Sequence, residues 1–250
     1  MEMNGNSAAR SEHRLARIAG ILYLLLFPTA APGIMSGQMA VAESPEATLA
    51  GIEAGQTMFA VTTVLGVAGF IVFLLLAYAL RRLFHSRGPV LADVMLLLVI
   101  ASIGPGLAAM AYRVDILVLL AQTGGVPALA PRELADTVAL SLAGSNNAMQ
   151  LAVIFWGLWL FPLGLLAYRS TFVPSAIGVL LMIGSPFYVL AFLGGVFDWA
   201  SQYPALLMIV GVVFGIPTML GEFGIALWLA IKGAGWKAGV PNSAVRSPTD

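Results

Sequence analysis

The chain has 250 residues, of which 60% are hydrophobic and only 10% charged, with 12 basic side chains balancing 12 acidic ones and no cysteine. A soluble domain carries about a quarter charged residues, so the composition excludes an ordinary water-exposed globule, and zero net charge without a basic tract argues against nucleic acid as a partner. The missing cysteines remove disulfides, thiolate metal sites and cysteine nucleophiles together.

A helix that crosses a hydrocarbon core of about 30 Å needs about 20 apolar residues at 1.5 Å each. The polar stretch up to Arg17 precedes the first such run and is expected to be a disordered tail. The first span is placed at Ile18 to Met39. Its flanking Arg14 and Arg17, and the Ala40-Val41-Ala42 that follows, resemble a signal peptide. The apolar run exceeds the roughly 7–15 residues of a signal core, however, so it is read as a retained span. The second span is placed at Gln56 to Phe84 and the third at Val90 to Ala121. Pro131 to Leu142 alternates acidic and apolar residues at helical spacing, either as a short surface helix or as an outward extension of the fourth span, Asn146 to Tyr168. The fifth span is placed at Val173 to Trp199 and the sixth at Tyr203 to Ile231. A Gly-, Pro- and Ser-containing tail from Gly233 to Asp250 is expected to be disordered.

The expectation is therefore an all-α polytopic membrane bundle of six transmembrane helices. Residues 18–232 form the membrane domain, between tails at 1–17 and 233–250. Basic residues in short loops fix orientation. Arg10, Arg14, Arg17, Arg81, Arg82, Arg87, Arg169, Lys232, Lys237 and Arg246, ten of the twelve, fall on one side of this threading. Arg132 and most of the acids fall on the other, with Arg113 close by. Both termini are thus expected in the cytoplasm, and aromatic residues such as Phe84, Tyr168, Trp199, Tyr203 and Trp236 sit at span ends, as an interfacial belt requires.

Ionisable groups at bilayer depth are costly and mark functional sites by default. Glu222 lies ten residues before Lys232, roughly 15 Å along the helix and close to the midplane. Gly211, Gly215, Thr218 and Glu222 share one small, polar face, which favours helix packing over lipid contact. Ser102, Gly106, Ala109 and Arg113 share a face in the third span, with Arg113 about 14 Å along the helix from Gln122, in the outer half. Asp115 points elsewhere. In the fourth span Asn146, Asn147 and Gln150 begin a face continued by Gly157 and Gly164, and these amides lie at a depth where they can meet Arg113. The depths estimated for Arg113 and Glu222 differ by roughly 14 Å, so a direct ion pair needs favourable tilts, and a network through Gln150 and water is the other arrangement. The ligand-binding candidates are Glu222, Arg113, Gln150, Asn147 and Thr218. Against them stands the plainer reading that they only fix helix packing, since interhelical hydrogen bonds of about 0.6 kcal/mol are common in membranes.

Prolines 28, 32, 105, 162, 186 and 217 fall inside spans, as in transporter helices that break around a site, though proline is frequent in membrane helices generally. Gly33 with Gly37, and Gly211 with Gly215, fit a close-packing motif that mostly acts within one chain and sometimes forms a dimer face, which leaves a homo-oligomer open. Ala77-Tyr78, Arg81, Pro89 and Ile103-Gly104-Pro105 weakly parallel Ala167-Tyr168-Arg169, Pro174 and Gly184-Ser185-Pro186, a grammar that chance produces often. No metalloprotease, nucleophile-elbow or phosphate-loop signature occurs. His13 and His85 lie in arginine-rich flanks as ordinary solvated residues. An enzyme, a metal and a cofactor are therefore not expected.

Arg17-Ile18-Ala19-Gly20-Ile21-Leu22-Tyr23, Phe155-Trp156-Gly157-Leu158-Trp159-Leu160, Gly164 through Ser170, Val173-Pro174-Ser175-Ala176-Ile177-Gly178, and Gly221-Glu222-Phe223 through Gly233 resemble the membrane family known as domain of unknown function 4386. The likeness covers about Arg14 to Gly233, with Pro162 and Pro186 as departures. The resemblance implies a multi-helix bacterial membrane fold and no agreed activity. The function expected is non-enzymatic binding or transport of a small or lipid-like solute through a polar intramembrane core in the inner membrane, or alternatively a structural or partner-binding module without a ligand.

Overall fold

The computed structural model describes residues 2–121 and 129–234, except the side chains of 2–9, 34, 35, 38, 39, 200 and 201. Among these residues the regular structure is helical: α1 (Glu2–Met39), α2 (Pro45–Ala54), α3 (Gln56–Phe84), α4 (Pro89–Ala121), α5 (Pro131–Arg169), α6 (Ser175–Gly184), α7 (Pro186–Val196), α8 (Trp199–Gln202), α9 (Pro204–Val210) and α10 (Ile216–Lys232). Six segments are long and apolar enough to cross a bilayer: Arg10–Gly33, Gln56–Arg87, Pro89–Ala121, Pro131–Arg169, Ser175–Val196 and Pro204–Lys232. Their outward faces are apolar, with Val64 68% and Leu97 62% exposed. Continuous apolar faces of that kind are incompatible with water and suited to lipid. The chain is a multi-pass helical membrane protein.

Apolar clusters bind the bundle, among them one of Phe70, Ala109, Met110, Met149 and Ala152 between α3, α4 and α5, and two that lie toward its ends. The larger joins Leu76, Leu80 and Phe84 of α3, Met95 and Val99 of α4, Leu160 and Leu163 of α5, and Ile225 and Leu229 of α10. The smaller ties Ile52 of α2 to Phe59, Ile116, Val138 and Leu142 near the other end. Small residues let backbones approach: a Cβ on Gly178 would lie 2.6 Å from the Tyr168 nitrogen and 2.7 Å from the Gly164 oxygen, and one on Gly157 2.8 Å from the Ser185 oxygen. The Gly157 and Gly164 face of α5 therefore seats α6 and α7. Gly33 similarly meets Gly66, with 3.0 Å between a Cβ there and the Gly66 Cα, so this motif packs within one chain.

Several boundaries depart from the sequence reading. The stretch before Ile18 is helix continuous with the first span, not a disordered tail. Within it Glu12 pairs with Arg87 at 2.8 Å, and Arg17 Nη2 donates to the Ile231 carbonyl at 3.4 Å. Helix α2 was not foreseen, although its start carries a readable cap: the Ala47 amide donates to Ser44 Oγ at 3.1 Å, and Pro45 occupies the first turn. Pro131 to Leu142 is the extension of the fourth span, because α5 runs unbroken for 39 residues. At 1.5 Å per residue that is about 58 Å, well beyond the hydrocarbon core. The expected tail from Gly235 onward, with Trp236, Lys237 and Arg246, lies outside the described residues, as does Gln122.

The prolines act unequally. α1, α4 and α5 continue through Pro28, Pro32, Pro105 and Pro162. The fifth span instead breaks between α6 and α7 at Gly184-Ser185-Pro186, and the sixth carries a π-helical turn over Gly211–Gly215 just before Pro217. Proline lacks a donor and its ring collides with the carbonyl four residues earlier, here Val213. Widening that turn relieves the collision.

Candidate functional site

Glu222 sits in the middle of α10 and is held by two phenols. Tyr23 Oη of α1 donates to its Oε1 at 3.1 Å, and Tyr188 Oη of α7 donates to its Oε2 at 3.1 Å. Tyr23 is fully buried. Tyr188 lies in the first turn of α7, just past the interruption at Ser185, and its hydroxyl meets the acid from there. Beside Glu222 opens a cavity of about 190 Å³, walled by α1, α3, α4, α5, α7 and α10. Its lining is aromatic around the acid, with Phe73, Trp156, Trp159, Tyr188 and Tyr23, and small or flexible further out, with Gly33, Gly66, Met110 and Met149.

The rings meet in two ways: Phe27 stacks flat on Tyr23 and on Phe223, at 11° and 3°, while others stand edge-on. Phe73 stands edge-on to Trp156 at 86° and to Trp159 at 82°, and Trp156 stands edge-on to Tyr188 at 88°. Such edge-to-face pairs hold one another rigidly. The indole nitrogen of Trp156 is buried with no hydrogen-bond partner. Most buried polar atoms have one, so this donor is an exception in the cavity wall.

A second polar cluster closes the bundle one helical turn beyond Met110. The Arg113 guanidinium is 1% exposed. Its Nε donates to Ser145 Oγ at 3.2 Å and its Nη1 to Ser36 Oγ at 3.0 Å, while Ser145 Oγ donates to the Ala109 carbonyl at 2.8 Å. The Phe59 ring lies 5.8 Å from the guanidinium carbon, and Asn146 Nδ2 donates to the Gly37 carbonyl at 3.2 Å alongside. Arg113 thus ties α1, α4 and α5 together.

The structure separates the residues that the sequence grouped. Glu222 lines the cavity. Arg113 is not among the lining residues, and it meets Ser36 and Ser145 and not Glu222, whose partners are Tyr23 and Tyr188. Gln150 bridges neither, approaching instead Gly195 of α7, where an added Cβ would lie 3.4 Å from its Nε2. Asn147 is exposed on the outside of α5; its neighbour Asn146 is the amide that turns inward, because adjacent helical residues differ by about 100°. Thr218 is buried but faces helix backbone: its hydroxyl lies 2.9 Å from the Gly184 oxygen and 2.7 Å from the Phe214 oxygen. It staples the break in the fifth span to the sixth. Sequence reasoning missed Tyr23, Tyr188, Trp156 and Trp159. One signal was available, since Tyr and Trp normally sit at bilayer interfaces and Tyr188 lies well inside its span.

An uncharacterised protein of Archaeoglobus fulgidus is 35% identical to this chain over 92 residues, which is 37% of the chain and 50% of the relative. The chain thus spans about half the length of this relative. No solved structure matches it. A family profile described as domain of unknown function (DUF4386) matches residues 18–233, which takes in all six spans together with the cavity and the Arg113 cluster, and the chain belongs to that family.

Proposed function

We propose that this membrane protein is non-enzymatic and binds a small or lipid-like solute within the bilayer, at the aromatic cavity beside Glu222. The observation that carries the reading is the coincidence of a partly open pocket of about 190 Å³ with the one acid in its wall. Helix packing alone rewards filling such a space, because interiors are close-packed and a void forfeits dispersion contacts on all sides. A void retained beside a costly acid is the pattern of a site. The alternative, a packing module without a ligand, draws support from Arg113 and Thr218, whose partners are all within the fold. Those two residues are accordingly assigned to packing and Glu222 to binding. The arginine-rich end, where Arg17 meets Ile231 and Arg87 meets Glu12, is assigned to the cytoplasmic side of a bacterial inner membrane on the positive-inside bias.

The test is thermal unfolding of the detergent-purified protein against a panel of small solutes and lipids, for wild type and Met149→Trp. Met149 is 6% exposed and lines the cavity, so an indole there occupies the space. A ligand at a hundred times its Kd stabilises the folded state by about 2.7 kcal/mol. At least one compound is expected to raise the wild-type midpoint and leave the variant unmoved. A panel that moves neither protein overturns the binding reading.

A further inference from the structure

We infer that the occupant of the cavity is a small organic ammonium ion. This rests on the binding reading above and names the ligand's chemistry.

Charge comes first. Glu222 is the one ionisable carboxyl among the lining residues, and no Lys, Arg or His lines the cavity. Its two oxygens receive only neutral phenol donors, Tyr23 and Tyr188, each at 3.1 Å. The buried guanidinium nearest along the bundle, Arg113, is committed to Ser36 and Ser145. A carboxylate inside a bilayer is stabilised by a counter-charge, and here the protein supplies none, so the ligand is left to supply it. An anionic solute is disfavoured for the same reason.

The walls then choose the kind of cation. A bare metal ion takes six to eight oxygen ligands, or six in strict octahedral order, and this cavity offers one carboxyl among rings and methyl groups. Aromatic faces carry negative charge, and a cage of them is the known physical solution for alkylated ammonium groups. Phe73, Trp156, Trp159 and Tyr188 meet at 82° to 88°, which presents faces from several directions to one volume. At about 190 Å³ the space lies below the roughly 300–1,000 Å³ of drug-sized sites, so the head group is small.

Four probes separate these contributions on the detergent-purified full chain, read by thermal midpoint and tryptophan fluorescence titration. Choline has both charge and acceptor, tetramethylammonium has charge alone, 3,3-dimethyl-1-butanol is the uncharged carbon analogue of choline, and potassium is the inorganic control. Choline is expected to bind at least ~10-fold more tightly than the uncharged analogue, since a desolvated cation–π contact is worth about that or more. Glu222→Gln should narrow the difference to the part that the rings alone supply, and tetramethylammonium should lose affinity in that variant alongside choline. Equal binding of choline and its uncharged analogue to wild type overturns the ammonium assignment and leaves the cavity a neutral-solute site. Binding of potassium with the same affinity also overturns it. Binding of none of the four, together with a silent wider panel, removes the binding reading itself. Should Glu222→Gln not fold, the comparison of choline with its uncharged analogue on wild type decides the charge question alone.

Discussion

Glu222 and Arg113 are both ionisable residues in apolar helices, yet their surroundings give them different work. Arg113 donates to two serine hydroxyls on neighbouring helices and lies against a ring, so its removal is a structural loss. Arg113→Ala is expected to destabilise the bundle by about 2–5 kcal/mol, the range for emptying a large buried site. Thr218→Val, which keeps the shape and loses one interhelical hydrogen bond, should cost about 0.6 kcal/mol. Neither should alter the relative response to charged and uncharged solutes, and a midpoint assay on the two variants checks both statements. The acid was legible in the sequence because it interrupts an apolar run at midspan depth. Its partners were not: Tyr23 is 199 positions away in the chain, and only the docking of α1 on α10 brings it to hydrogen-bonding range. The same limit produced the wrong amide, since Asn146 and Asn147 are equivalent until the azimuth of α5 is known.

At the scale of elements, glycine positions separate into those that seat a helix and those that merely fall within one. Gly178 on α6 would place a Cβ 2.6 Å from a backbone nitrogen of α5, whereas a Cβ on Gly104 of α4 meets nothing within 4 Å. The two identical substitutions should therefore have opposite signs. Gly104→Ala is expected to stabilise by about 0.5–1 kcal/mol through helix propensity. Gly178→Ala should destabilise by pushing α5 and α6 apart, because backbone atoms cannot rotate out of the way. Reversible unfolding in mixed detergent on the two variants reads the sign directly, and equal shifts would contradict the close approach. Span positions were legible from hydropathy because hydrocarbon thickness dictates length, and α3 was placed end to end. The break at Pro186 and the π turn before Pro217 were not, since Pro105 and Pro162 show that the same residue also sits within an unbroken helix. The bond from Thr218 to the carbonyl of Gly184 beside the interruption was hidden for the same reason, since only the docking of the sixth span on the fifth supplies it.

Across the whole molecule, the two ends differ in chemistry. At one, Arg17, Arg81 and Arg87 make contacts that join the first, second, third and sixth spans, and Arg87 also covers the Phe172 ring at 4.6 Å, in the connection between the fourth and fifth. At the other, α2 packs on the projecting start of α5 through an apolar cluster. The positive-inside bias acts during insertion on loop charges and not on the finished contacts, so the arginines first orient the chain and then, once inserted, hold its loops together. Orientation is directly testable because the chain has no native cysteine, and any introduced thiol is a single reporter. Ser86, exposed in the turn between α3 and α4, and Glu46, exposed on α2, lie on opposite sides of the threading. With a membrane-impermeant maleimide on intact cells, Glu46→Cys is expected to label and Ser86→Cys to label only after the membrane is opened. The reverse pattern would place the arginine end outside and invert the side from which Tyr23 and Glu222 are approached. The cavity itself lies between the Glu222 layer and the Arg113 layer, so a positive charge stands one turn beyond its Met110 wall at the α2 end. That arrangement disfavours passage of a cation past Arg113, and in the orientation proposed it makes the cavity a pocket for an ammonium ion approached from the bilayer or the cytoplasmic half.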